Sequence, residues 1–225
     1  MVITVDGPAA AGKSTVARLL ARRLGFRYLD TGAMYRAATW KALRAGVDMD
    51  DPRQVAGVAE RARIELLPGG DGLRVICDGE DVTQAIRTPE VTESIYHVAD
   101  EPAARSPLIM QQRLLGRRFD LVAEGRDQGT EVFPEAEVKF YLDASLEERA
   151  RRRLLDMARA DCPPTPQEVK QQVARRDARD RARPVGALRR TDEMVLIDST
   201  DMSADEVVEA MLAEIARRGL MSKPS

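Results

Sequence analysis

Two clusters of residues in this sequence could do chemistry on phosphate. The first is Gly7-Pro8-Ala9-Ala10-Ala11-Gly12-Lys13-Ser14, followed by Thr15, which fits GxxxxGK[ST] at every defined position. In that pattern successive backbone N–H groups can face the phosphate oxygens of ATP, and Lys13 can reach the β- and γ-phosphates. The Ser14 hydroxyl can ligate Mg²⁺, and Thr15 offers a further hydroxyl or amide donor. The second cluster is Glu124-Gly125-Arg126-Asp127, within "LVAEGRDQGTEVF". Arg126 supplies a planar fork suited to phosphate, and Asp127 can accept from an exocyclic amine or a sugar hydroxyl. Glu124 can hold Mg²⁺ through water or hydrogen-bond structurally to the glycine loop.

Two further stretches carry arginines. "YLDTGAMYR", residues 28–36, follows a helix and can bring Arg36 to a second phosphate. "RRDARDRAR", residues 175–183, puts Arg176, Arg179, Asp180 and Arg183 on one helical face, a cationic stripe interrupted by a single carboxylate. Alone, that stripe reads as an intrahelical ion-pair face. Beside a triphosphate loop it reads as a lid whose arginines close over two polyphosphates and exclude water.

The elements that must position these residues can be read from the hydrophobic pattern. "VITVD" before the glycine loop is a short, non-alternating β-branched run, and Val16, Leu19, Leu20 and Leu24 after it form one helical stripe. Similar runs recur as "LVAE", "VKFYL" and "MVLID", separated by helical stretches, which predicts strands covered on both faces by helices. Capping boxes are predicted at Ser145, Thr165 and Ser203, each with Glu three residues on, and Asp51-Pro52 predicts another helix start. One segment breaks the rhythm. "IELLPGGDGLRVICDGEDV", residues 64–82, predicts a hairpin around Gly69-Gly-Asp-Gly72 and a short extended piece near Glu80, inside an inserted subdomain that runs to about residue 100.

A chain of 225 residues fits one folding unit with an excursion, since domains usually run from about 50 to 250 residues. No run approaches the roughly 18 apolar residues of a membrane span, and the first residues lack the layout of a secretory signal, so no membrane partner and a cytoplasmic location are expected. Cys77 and Cys162 stand apart, which suggests two reduced thiols rather than a disulfide scaffold or a zinc site. The net charge of -2 hides an uneven distribution: residues 149–190 hold twelve Arg and one Lys against five Asp or Glu. Aromatics are 4% and none interleaves that basic run, which argues against a nucleic-acid platform. Disorder is expected only in the tail from Met221 to Ser225.

Taken together, "DGPAAAGKST", "YLDTGAMYR", "DGEDVTQAIRTPEV", "AEGRDQGTEVFPEAEVKFYLDAS" and "RRDARDRAR" resemble the bacterial cytidylate kinase family of nucleoside monophosphate kinases, in the family's order and over nearly the whole chain. The resemblance implies a P-loop NTPase-type α/β fold, a three-layer parallel sheet with helices on both faces. It implies a core (residues 1–62, 106–150 and 184–220), an acceptor-binding insert (about 63–105) and a helical, Arg-rich lid (about 151–183). It also implies transfer from Mg-ATP to CMP or dCMP by a monomer. Lys13, Arg126 and Arg183 would act in catalysis, and Arg36, Arg126 and Arg183 would hold the acceptor phosphate. Arg105 and Asp127 would read the cytosine, Arg176 and Asp180 would contact the sugar, and Thr31 would complete the substrate site. Where the resemblance predicts a serine against the base, Tyr96 stands, which bears on the choice of CMP over UMP. The rival readings are a kinase for another nucleoside monophosphate, such as UMP or AMP, and a nucleotide-dependent RNA-binding or regulatory protein.

Overall fold

β1 (Val2–Asp6) runs into the glycine loop and α1 (Lys13–Leu24), then β2 (Arg27–Asp30), α2 (Thr31–Arg44), α3 (Pro52–Glu60), β3 (Ile64–Pro68), β4 (Leu73–Cys77) and β5 (Glu80–Asp81). A 3-10 turn at Ala85–Arg87 leads to α4 (Pro89–Ser94), α5 (Tyr96–Ala99), α6 (Pro102–Arg118) and β6 (Leu121–Gly125). A single π-helical turn at Gln128–Val132 precedes β7 (Val138–Asp143), α7 (Leu146–Met157), α8 (Pro166–Ala182), β8 (Val195–Asp198) and α9 (Ala204–Arg217). The computed structural model describes residues 1–69, 72–157 and 164–220. Gly70 and Asp71 of the hairpin turn, residues 158–163 of the expected lid with Cys162, and the tail from Met221 to Ser225 lie outside the described residues.

The chain forms two units, one of residues 1–28, 119–183 and 187–225, the other of residues 29–118 and 184–186. The first contains the five-stranded sheet, ordered β2-β6-β1-β7-β8, with the second unit beginning inside the edge strand β2. β1 pairs in parallel with β6 and β7, and β7 with β8. Every residue of β1 from Ile3 to Asp6 is buried, so its non-alternating pattern reflects a strand covered on both faces. On one face Ile3, Val5, Phe140 and Leu142 pack with Val16 and Leu20 of α1 and Val207, Met211 and Ile215 of α9. Each such side chain contributes about 1.5–3 kcal/mol by leaving water.

Helix starts follow the capping chemistry with one difference. Thr165 and Ser203 form complete boxes, and the Asp51 carboxylate accepts from Arg53 and Gln54 N–H groups ahead of α3. At α7 only half the predicted box exists: Ser145 Oγ accepts from Glu148 N at 3.2 Å, while the Glu148 carboxylate binds Arg151 and Arg152. A charged pair one turn away outcompetes a neutral backbone N–H for the same carboxylate.

In the second unit the predicted hairpin is present. β3 and β4 are antiparallel from Ile64↔Cys77 to Pro68↔Leu73, and Gly69 N donates to Gly72 O at 2.8 Å. α3 packs on α6, and Gln111 of α6 binds Ala62 O and Ile64 N, fixing the start of the hairpin. Asp30 caps α2 by accepting from Ala33 N at 2.8 Å, which sets the helix that carries Arg36. Among the described residues no helix is long and apolar enough to cross a membrane.

Candidate active site

The glycine loop leaves β1 where the chain needs unusual backbone. A Cβ on Gly7 would lie 2.0 Å from Leu142 O, and Gly12, at φ +89°, caps the start of α1. Ala10 also takes a left-handed conformation, at φ 60°, although it carries a Cβ. A glycine-rich turn at the N-terminus of a twelve-residue helix suits anions.

Lys13 is buried and donates from Nζ to Pro8 O at 2.7 Å. Burial, then the neighbouring Arg126, push its ammonium down to about 7, with Glu124 acting the other way. Ser14 Oγ donates to Glu124 Oε1 at 2.5 Å, and Tyr28 Oη donates to the same oxygen at 3.0 Å. Glu124 is therefore both a tether for the loop and, with Ser14, a pair of hard oxygens at its mouth. Asp6, at the end of β1, accepts from Gln128 N and Gly129 N at 2.9 and 2.7 Å and so holds the π-helical turn after Asp127. Burial pushes the Asp6 carboxyl up to about 7 despite these two bonds.

Arg126 projects from the end of β6. Its Nε donates to Asp180 Oδ2 at 2.7 Å, while Arg183 pairs with Asp180 Oδ1 at 2.7 Å. Burial alone would raise the Asp180 carboxyl; Arg126, Arg183 and Arg176 outweigh it and hold the group below its ordinary value. The first unit thus brings together Lys13, Ser14, Glu124, Arg126, Arg176, Asp180 and Arg183, with Asp127 buried next to Arg126 in the chain. Asp180, which the resemblance assigns to the sugar, here orients the two arginines expected on the acceptor phosphate.

The second unit holds the remaining predicted residues. Arg36 Nη1 donates to Thr92 Oγ1 at 2.8 Å, and Thr31 is buried in the first turn of α2. Arg105, 2% exposed, donates to Ala99 O at 2.9 Å and lies 5.3 Å from the centre of the Tyr35 ring. Tyr96 stacks on His97 with ring centres 3.8 Å apart, and His97 Nδ1 is 3.6 Å from Asp50.

Three site residues are absent from the sequence reading: Asp6, Asp177 and Arg149. Asp177 and Arg149 form a buried ion pair against Ala9, so the lid stripe carries two inward carboxylates, Asp177 and Asp180, rather than one. Their spacing of three residues was the available signal.

The family model for cytidylate kinase matches residues 3–217. The chain belongs to the cytidylate kinase family. It is 45% identical over 216 residues to the cytidylate kinase of Anoxybacillus flavithermus, covering 96% of each chain. It is 43% identical over 218 residues to that of Carboxydothermus hydrogenoformans, covering 97% of this chain and 98% of the relative. A solved structure of an uncharacterized protein from Eubacterium ventriosum, at 8% identity, matches with a TM-score of 0.51 over 96% of this chain and 98% of its own, a likeness of fold alone.

Proposed function

We propose that the protein transfers the γ-phosphoryl group of ATP to CMP and dCMP, giving ADP with CDP or dCDP. The observation that carries this reading is the Arg126–Asp180–Arg183 cluster beside Lys13, in a chain matched to cytidylate kinase over residues 3–217. Two preset guanidinium groups beside Lys13 suit an acceptor that brings its own phosphate.

The reaction needs no side-chain base. The attacking oxygen belongs to a monophosphate whose second pKa is about 6, so it is largely deprotonated at neutral pH. The barrier is instead the repulsion of two polyanions that must meet in line. Lys13 takes on charge as the triphosphate enters and stabilises the transferring group, while Arg126 and Arg183 neutralise the acceptor phosphate. We assign Arg36 to the same phosphate, Arg105 and Asp127 to the base, and Arg176 and Asp180 to the sugar end, with Thr31 and Tyr96 completing the acceptor residues. The loop from Gly7 to Thr15 takes the donor phosphates.

Mg²⁺ fits the residues present. Ser14 Oγ and Glu124 Oε1 provide hard oxygen donors 2.5 Å apart, and no group of three or more His, Cys, Asp or Glu among the described residues could cage a metal. That sparse donor set suits an ion held chiefly by nucleotide phosphates and water. Ser14 would ligate it directly and Glu124 through water, and when bound it would withdraw charge from the β- and γ-phosphates. The enzyme is proposed to act as a monomer.

A panel of acceptors tests the reading. With Mg-ATP, ADP should form with CMP and with dCMP; turnover with AMP or UMP and none with either cytidylate would overturn it. One observation supports a broader acceptor range: Tyr96 stands where the resemblance predicts a serine, so some UMP turnover alongside CMP is expected.

A further inference from the structure

Lid and loop meet at one residue. Ala9 N donates to Asp177 Oδ1 at 3.1 Å, and Ala9 O accepts from Arg149 Nη1 at 3.1 Å. The two side chains close the ring, Arg149 Nη1 donating to Asp177 Oδ2 at 2.5 Å, with 7% and 3% of their surfaces exposed. Arg149 Nε is occupied by Ala144 O at 3.0 Å, so the guanidinium cannot swing without breaking several bonds. One turn further along α7, Arg152 Nη1 holds Ala11 O at 3.3 Å. The carbonyls on either side of Ala10 are thus both gripped from α7, and Ala10 is the one residue of the loop that takes a left-handed backbone with a Cβ. Asp177 sits on the α8 face that also buries Val169 and Val173 against Ala150 of α7. The same helix carries Arg176 and Asp180.

We propose that Arg149 and Asp177 are positioning residues for phosphoryl transfer, holding the two peptide groups that flank Ala9 so that the glycine loop keeps its phosphate-binding shape only while α8 is seated. The pair touches no reacting atom; it acts through the loop backbone. A buried ion pair is a poor source of net stability, because desolvating both charges offsets most of their attraction. Its value here is geometric, since an apolar pair of similar size would fill the space without binding either the N–H or the C=O of Ala9. The inference rests on the triphosphate reading of the loop.

The test compares wild type with the double variant Arg149→Met/Asp177→Leu, measuring thermal unfolding, ATP binding by calorimetry, and steady-state kinetics. Replacement of both partners strands no charge, so the protein should stay folded, with an unfolding temperature lowered by the loss of the backbone hydrogen bonds to Ala9 and Ala144. The Kd and KM for ATP should rise about tenfold or more, with KM for CMP changed by less than about twofold. A folded double variant with wild-type ATP affinity and KM would overturn the proposal. Should the double variant not fold, Arg149→Lys serves: it keeps the charge facing Asp177 but cannot bind Asp177, Ala9 O and Ala144 O together. It should show the same selective rise in KM for ATP, and unchanged kinetics would overturn the proposal. Wild type that fails to bind ATP would overturn the triphosphate reading, and the inference with it.

Discussion

Arg126 and Asp180 lie 54 residues apart in the chain and are joined by an ion pair of 2.7 Å, with the carboxylate 4% exposed and the guanidinium 16%. Because the other oxygen of Asp180 holds Arg183, one carboxylate fixes two cations that would otherwise repel each other. A phosphate arriving at this point meets a fork already oriented, with less side-chain entropy left to lose.

Removal of the orienting group should therefore damage acceptor use more than donor use. For Asp180→Asn, kcat/KM for CMP is expected to fall by about 10²-fold, with ATP affinity changed by less than about threefold. Arg126→Ala should lose still more turnover while remaining folded, and Arg126→Lys should recover little, since an ammonium cannot reproduce the fork. Steady-state kinetics with each substrate varied in turn, alongside circular dichroism, checks both.

Lys13 gives a pH-dependent signature. Its folded value is about 7 against 10.5 in the unfolded chain, so between these values the folded protein holds fewer protons at this site. The group's penalty on folding is largest below about 7 and is relieved as pH rises through 10.5, because stability rises with pH where the unfolded state binds more protons. Triphosphate binding restores the charge, and at pH 8 uptake should approach about one proton per site. Calorimetry in buffers of different ionisation enthalpy measures this uptake. Lys13→Arg, which stays charged, should abolish it.

Gly7→Ala probes the loop's packing. The added Cβ would meet Leu142 O at 2.0 Å, and the neighbour is backbone that cannot step aside. Destabilisation should exceed the roughly 1–3 kcal/mol usual for overpacking. Denaturant unfolding reads this directly, and a variant as stable as wild type would mean that β1 and β7 are seated differently.

The glycine loop was legible in sequence because it is local. Strand, glycine loop and helix are contiguous, and GxxxxGKS states its own geometry. The strands around it were legible for the same reason, as short apolar runs between capping signals. The partners of Asp177 were not legible: Arg149 lies 28 residues away and Ala9 lies 168, and no periodicity links a helix face to a loop amide so distant in the chain. Glu124 shows an intermediate case. Both of its candidate roles could be read from type and position, and the structure finds the structural one, a hydrogen bond from Ser14, without displacing the other.

Tyr96 is the residue on which base selectivity should turn. Tyr96→Ser is expected to raise the ratio of kcat/KM for CMP over UMP by about tenfold or less, the scale of one side-chain contact in a binding pocket. An unchanged ratio would remove Tyr96, stacked on His97, from the base-recognising residues.

In the proposed reaction the γ-phosphoryl group passes to a nucleotide rather than to water. ATP labelled in its γ-phosphate, incubated with the protein, Mg²⁺ and CMP, tests this directly once the products are separated. The label should appear in the β-phosphate of CDP in step with ADP formation, and dCMP should give labelled dCDP. Label recovered as inorganic phosphate, or ATP consumed at the same rate with and without CMP, would contradict the account.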